Sequence, residues 1–163
     1  MWKKLLALVL AGIFTISAAV PVHADNETIE AAQMHEVLEK YHSPMSRHET
    51  VLIDTAKQYG LDWTLLAAIA GTESSFGLYM PGNCINPYGW GIYGDNEICF
   101  KSFDDAAAGL AAGLSAGYNT TSVRTIAYTY NHVSTGGWLA HTESFMDQIK
   151  NAPVPVSALP ITL

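Results

Sequence analysis

Positive charge is scarce in this chain. Lys3 and Lys4 fall in an N-terminal segment set apart below, which leaves six of the eight lysines and arginines against fifteen acidic residues. The charge is then about −9 with histidine neutral, the wrong sign for a phosphate polymer, so no nucleic-acid partner is expected. Cysteine is scarcer still, with Cys84 and Cys99 alone, and the six histidines are scattered with none at short ligand spacing from either thiol. No metal and no cofactor is therefore expected. The chain also lacks an internal repeat and a Gly-x-Ser-x-Gly elbow. The serine-rich stretch "GTESS" at 71–75 is not that elbow, and no strand is expected before it, which sets aside a serine hydrolase.

Long apolar runs are limited to one, from Leu5 to Val20, interrupted by Gly12, Thr15 and Ser17. Trp2, Lys3 and Lys4 precede it, and Val22 to Ala24 supplies small residues at cleavage spacing, the pattern of a secretory signal over 1–24. The run is about 16 residues, against the roughly 20 of a spanning helix, which favours cleavage over a retained anchor. No cysteine follows Ala24, so a lipid anchor is not indicated. The expectation is a secreted, monomeric chain with no stable membrane anchor, extracellular or periplasmic. In an oxidising compartment two cysteines allow one intramolecular pairing, and a Cys84–Cys99 disulfide is expected. Two free buried thiols, or half of a metal site, are the alternatives.

The remaining residues, about 139, suit one compact domain. Periodicity predicts a helix over 27–41, then a break at "HSPMS". Ser46 and Glu49 have the spacing of a capping box for a helix to Gln58, ended by Gly60. Asp62 is expected to cap a third helix that ends near Phe76 and Gly77. Ser102 or Asp104 would start a fourth, on which Ala107, Leu110 and Leu114 share a face. Gly109 and Gly113 weaken that helix unless they permit close packing. Ser122 would cap "VRTIAYTYN", and 137–150 forms a last helix with Trp138, Phe145 and Ile149 inward. Between them, 78–101 holds glycine, proline and aromatic residues without period, a structured loop or a short strand region. The tail 151–163 has three prolines and should be extended or disordered. The segments expected are a signal at 1–24, a helical extension at 25–45, a main domain at 46–150 and a Pro-rich tail at 151–163.

Glu73 carries the candidate chemistry. On a helix its neighbours at helical spacing are Leu65, Ile69, Thr72 and Phe76, which turns it toward the core side; the alternative is a side chain that bends to solvent from the helix end or is satisfied by backbone donors. Desolvation and the negative end of the helix dipole would both raise its pKa, the condition for a general acid. Tyr79, Tyr88, Trp90 and Tyr93 follow closely, and aromatic faces stack on sugar rings; the alternative for each ring singly is a place in the core. His132 and His141 are expected at the surface or on a groove rim.

"LLAAIAGTESSFG" (65–77), "NPYGWGIYG" (86–94) and "AYTYN" (127–131) together resemble the lysozyme-like superfamily of peptidoglycan-cleaving enzymes, in particular soluble lytic transglycosylase domains and bacterial glucosaminidases. The resemblance spans about Asp54 to Lys150. It implies a mainly α, lysozyme-like helical domain with a glycine- and aromatic-rich loop closed by the disulfide, acting on peptidoglycan glycan strands. It further implies that Glu73, of the Glu73–Ser74 pair, is the catalytic acid. Asn86 to Gly94 would line a groove, and Tyr130 and Asn131 would point into the site. Ser74, Tyr88, Trp90, Tyr93, Tyr130 and Asn131 are thus the expected substrate-binding residues. Transglycosylases continue the turn as Gly-Leu-Met-Gln, whereas "GWGIY" stands at 89–93, and this segment is closer to the glucosaminidase Asn-x-Phe-Gly-Ile. A partner carboxylate would come from Asp95, Glu97, Asp104, Asp105 or Glu143. Asp104 and Asp105 are better explained by a helix first turn. The resemblance implies a scheme that needs none: one Glu acts as acid and then base while the sugar's 6-hydroxyl attacks, giving an anhydro product. The alternatives are hydrolysis of glucosaminidase type, and a noncatalytic cell-wall-binding module that keeps the groove without turnover.

Overall fold

The computed structural model describes residues 22–92 and 98–158. Six helices follow in order: α1 (Val22–Lys40), α2 (Glu49–Gln58), α3 (Leu65–Ser74), α4 (Phe103–Gly117), α5 (Val123–Tyr130) and α6 (Thr135–Lys150). A 3-10 turn, Val156–Ala158, comes last. Among the described residues there is no strand; a single antiparallel bridge joins Ile85 to Phe100. No described helix is long and apolar enough to cross a membrane. Most of the expected signal segment lies outside the described residues.

α3 runs through the middle. Every residue from Leu65 to Gly71 is buried, because α6 packs along it and α2 and α4 close its other sides. Its alanines keep the neighbouring helices close. Periodicity had placed Glu73 on the core side, but a helix enclosed all round has no solvent face to contrast with a core face. Glu73 emerges as an exposed residue where that enclosure ends. α1 belongs to the same core through Met34, Val37 and Leu38, and it packs on α2 and α6.

The end of α3 is tightly bent. Ser75, Phe76 and Gly77 all take positive φ (51, 59 and 84°), a conformation that costs on the order of 1–3 kcal/mol for a residue with a side chain. Burial of the Phe76 ring offsets it: the ring is fully buried between Tyr41 and Phe145, each with its centroid 4.8 Å away.

Two caps form as expected. Ser102 Oγ accepts from Asp105 N at the start of α4, and Ser122 and Thr125 make a reciprocal capping box on α5. The box expected from Ser46 and Glu49 does not form. His48 is the N-cap without a side-chain bond; Ser46 bonds Glu39, and Glu49 accepts from Arg47 N (2.9 Å) while pairing with His35 Nδ1 (2.6 Å). Long-range partners thus displaced the local one. Asp62 likewise binds Thr64, through N and Oγ1, rather than capping α3 itself. On α4, Gly109 faces the Phe100 ring and Gly113 the Trp90 ring, so both glycines do serve close packing.

Several bonds hold the loop from Leu78 to Lys101 among its described residues. Cys84 and Cys99 form the expected disulfide, with Cα atoms 5.1 Å apart. Phe100 N donates to Ile85 O (3.0 Å). Asn86, fully buried, donates to the carbonyls of Trp90 and Ile98 and accepts from Trp90 N, all within 3.0 Å.

Candidate active site

Ser74 is the hinge between α3 and this loop. It is buried, accepts from Gly77 N (2.9 Å), and shares its one hydrogen between the carbonyls of Ala70 (3.0 Å) and Pro87 (2.7 Å). That bond to Pro87 brings the 86–92 turn alongside the end of α3. Gly89, at φ +59°, then lies next to Glu73: a Cβ on it would stand 3.7 Å from Glu73 Oε2. Ser74 therefore positions the turn and has no hydroxyl left to offer a substrate.

The other oxygen, Oε1, accepts from Trp138 Nε1 on α6 at 2.6 Å. Glu73 is exposed at its rim, yet protein flanks both oxygens, and this burial raises its pKa above the ordinary carboxylate value. The Trp138 bond, which favours the charged form, works in the opposite direction and is the smaller effect. Exposure and the raised pKa are consistent for a surface carboxyl beside Gly89, one side of which meets water.

An aromatic series leads away from it. The Tyr130 ring stacks on Trp138 (centroids 5.0 Å apart, planes 28° apart), and Trp90 and Tyr118 each lie about 6 Å from Tyr130 and from one another. Tyr130 Oη donates to Tyr88 O (2.8 Å), tying α5 to the same turn. Burial first, then the Glu73 charge and those of Tyr118 and Tyr88, hold the Tyr130 hydroxyl well above its usual pKa. Gly89 to Ile92 on one side and Tyr118, Thr129, Tyr130 and His132 on the other enclose a groove of about 310 Å³.

The expected site residues thus separate. Glu73, Trp90 and Tyr130 come together. Tyr88 does not line the groove, as had been expected: its ring is fully buried in the core and cannot stack on a ligand. Asn131 is occupied in the α5–α6 connection, accepting from Ser134 N (2.9 Å) and, through its carbonyl, from Thr135 Oγ1 (2.9 Å). Tyr93 lies outside the described residues. His132 lines the groove, and His141 is exposed on α6. Of the candidate partner carboxylates, Asp104 pairs with His48 (2.6 Å), Asp105 and Glu143 are exposed, and Asp95 and Glu97 lie outside the described residues.

Sequence reasoning assigned Trp138 to the core and missed that its N–H meets Glu73. An indole nitrogen needs an acceptor when buried, and that requirement was the available signal. Tyr118 was missed as well. A larger cavity of about 520 Å³ lies between α1 and the end of α6, lined by Glu36, Lys40 and Gln148 among others, and it shares no residue with the groove. Size alone does not identify the site, because neither Glu73 nor any ring of the aromatic series lines that cavity. Among the described residues no three His, Cys, Asp or Glu side chains converge as metal ligands would. No protein-family model, no curated protein and no solved structure matches the chain.

Proposed function

We propose that the chain is a secreted enzyme of the lysozyme-like kind that cuts the glycan strand of peptidoglycan, with Glu73 as its single acid and base. The observation that carries this reading is the placement of the Glu73 carboxyl, flanked by Trp138 and Gly89 at the edge of an aromatic groove, with its pKa raised by burial. A carboxyl that keeps its proton toward neutral pH can give it to a glycosidic oxygen as the bond to the anomeric carbon breaks. The resulting carboxylate then takes the proton from the sugar's 6-hydroxyl as that oxygen bonds to the anomeric carbon, leaving an anhydro end and an enzyme ready for another turn. The charged intermediate meets a groove of aromatic faces, which suit sugar rings.

One further observation supports the reading. The Cys84–Cys99 disulfide suits an oxidising compartment. The test is digestion of purified cell walls by the wild-type chain and by Glu73→Gln, with the released fragments weighed by mass spectrometry. Anhydro ends lost in the variant are expected. Reducing N-acetylglucosamine ends would assign a glucosaminidase instead, and lysis by the variant at the wild-type rate would remove Glu73 from the chemistry.

A further inference from the structure

The two oxygens of Glu73 are not equivalent. Oε1 lies 2.6 Å from Trp138 Nε1, and Oε2 faces the open space at Gly89, 3.7 Å from where a Cβ would stand. An indole N–H only donates, so its partner oxygen must accept in both protonation states of the carboxyl. In a neutral carboxyl the carbonyl oxygen is the stronger acceptor and the hydroxyl oxygen the weaker. With Oε1 held as acceptor, the hydrogen is favoured on Oε2.

We propose that Trp138 is a positioning residue: its indole N–H fixes Oε1 as the accepting oxygen and so presents the transferable proton on Oε2, into the space kept open by Gly89. The inference rests on the acid role proposed above for Glu73. Trp138 is itself suited to the task. It is 3% exposed and its ring is stacked against Tyr130, so the donor cannot swing away, and it contacts the acid rather than the substrate. The turn side is equally constrained, since Gly89 sits at φ +59° and is held next to Glu73 by the Ser74–Pro87 bond. The Trp138–Glu73 bond also draws the carboxyl's pKa down against the larger effect of burial. Its loss therefore lets the acid stay protonated to higher pH while freeing the proton to sit on either oxygen.

Trp138→Phe tests this on soluble glycan fragments. Expected are a fall in kcat of about tenfold or more from lost orientation, a KM close to the wild-type value, and an alkaline limb of kcat/KM moved to higher pH. A merely structural role would move none of the pH profile, and an unchanged profile with unchanged kcat overturns the proposal. A second measurement needs no loss of core volume: the Trp138 indole N–H resonance should shift with pH as Glu73 titrates, and Glu73→Gln, whose amide oxygen still accepts, should abolish that dependence. A resonance flat with pH in the wild-type chain overturns the proposal independently. The two readings fail differently. Full activity in Glu73→Gln rejects the acid role, whereas an inactive Glu73→Gln beside a Trp138→Phe variant with the wild-type profile rejects only the positioning role.

Discussion

The indole of Trp90 occupies the space that a side chain at Gly113 would need: a Cβ there would stand 2.2 Å from Cζ2 of the ring. A groove wall and a helix backbone are thus in direct contact, and the glycine on α4 sets how far the wall can recede. Gly113→Ala is expected to destabilise by about 1–3 kcal/mol through overpacking, and to weaken glycan binding because Trp90 must move into the groove. Gly117, at the end of the same helix, has nothing within 4 Å of the corresponding position. Gly117→Ala should be neutral or stabilising by up to about 1 kcal/mol. Denaturant midpoints of the two variants check the opposite signs.

Ser74 links the helix that bears Glu73 to the turn opposite it. Ser74→Ala removes the partner of Gly77 N and of Pro87 O, both inside the fold, and leaving such groups unpaired costs about 1–3 kcal/mol. The loss should show as a lower denaturant midpoint. Because the Pro87 bond also holds Gly89 beside Glu73, kcat should fall further than stability alone explains when activity is measured well below the melting temperature.

The disulfide carries a separate expectation. Its loop of about 15 residues is worth about 3 kcal/mol in the chain-entropy model, and it holds the segment bearing Gly89 and Trp90. A Cys84→Ala, Cys99→Ala chain should melt lower than wild type, and reductant should lower the wild-type melt toward it while leaving the double variant unchanged. A melt insensitive to reductant would show that the loop is secured by its noncovalent contacts, those of Asn86, the Ile85–Phe100 bridge and the Ser74–Pro87 bond among them.

These residues also show what a sequence makes legible. Local features were readable: the caps at Ser102 and Ser122, the helices from α2 onward to within a few residues, and the only possible cysteine pairing. Features set by distant partners were not. Ser46 and Glu49 matched a capping box but found Glu39 and His35 on α1. Tyr88 looked like part of a sugar wall because composition cannot say which ring of an aromatic loop turns inward; the structure buries it and uses its carbonyl to hold Tyr130. Glu73 stood out by its setting in an apolar run, whereas Trp138, 65 positions later, gave no local sign that it would meet it.

The pH dependence of stability tests the setting of Glu73 without reference to any substrate. Its folded pKa is raised by burial above the unfolded value, with the Trp138 bond opposing. Between the two values the native state therefore binds more protons than the unfolded chain, and stability contributed by this group falls as pH rises through that window. Below the unfolded pKa, about 4.3 for a glutamate, both states are protonated and no loss appears. Glutamine cannot ionise and keeps an oxygen for the Trp138 N–H. The Glu73→Gln chain should therefore match wild type most closely near pH 4 and gain on it as pH rises through that window, with the difference levelling off once Glu73 is ionised in both states. Denaturant midpoints of the two chains across that range measure it directly. A constant difference would mean that the carboxyl is as well hydrated in the fold as in the open chain, and the physical basis for an acid at this position would be gone.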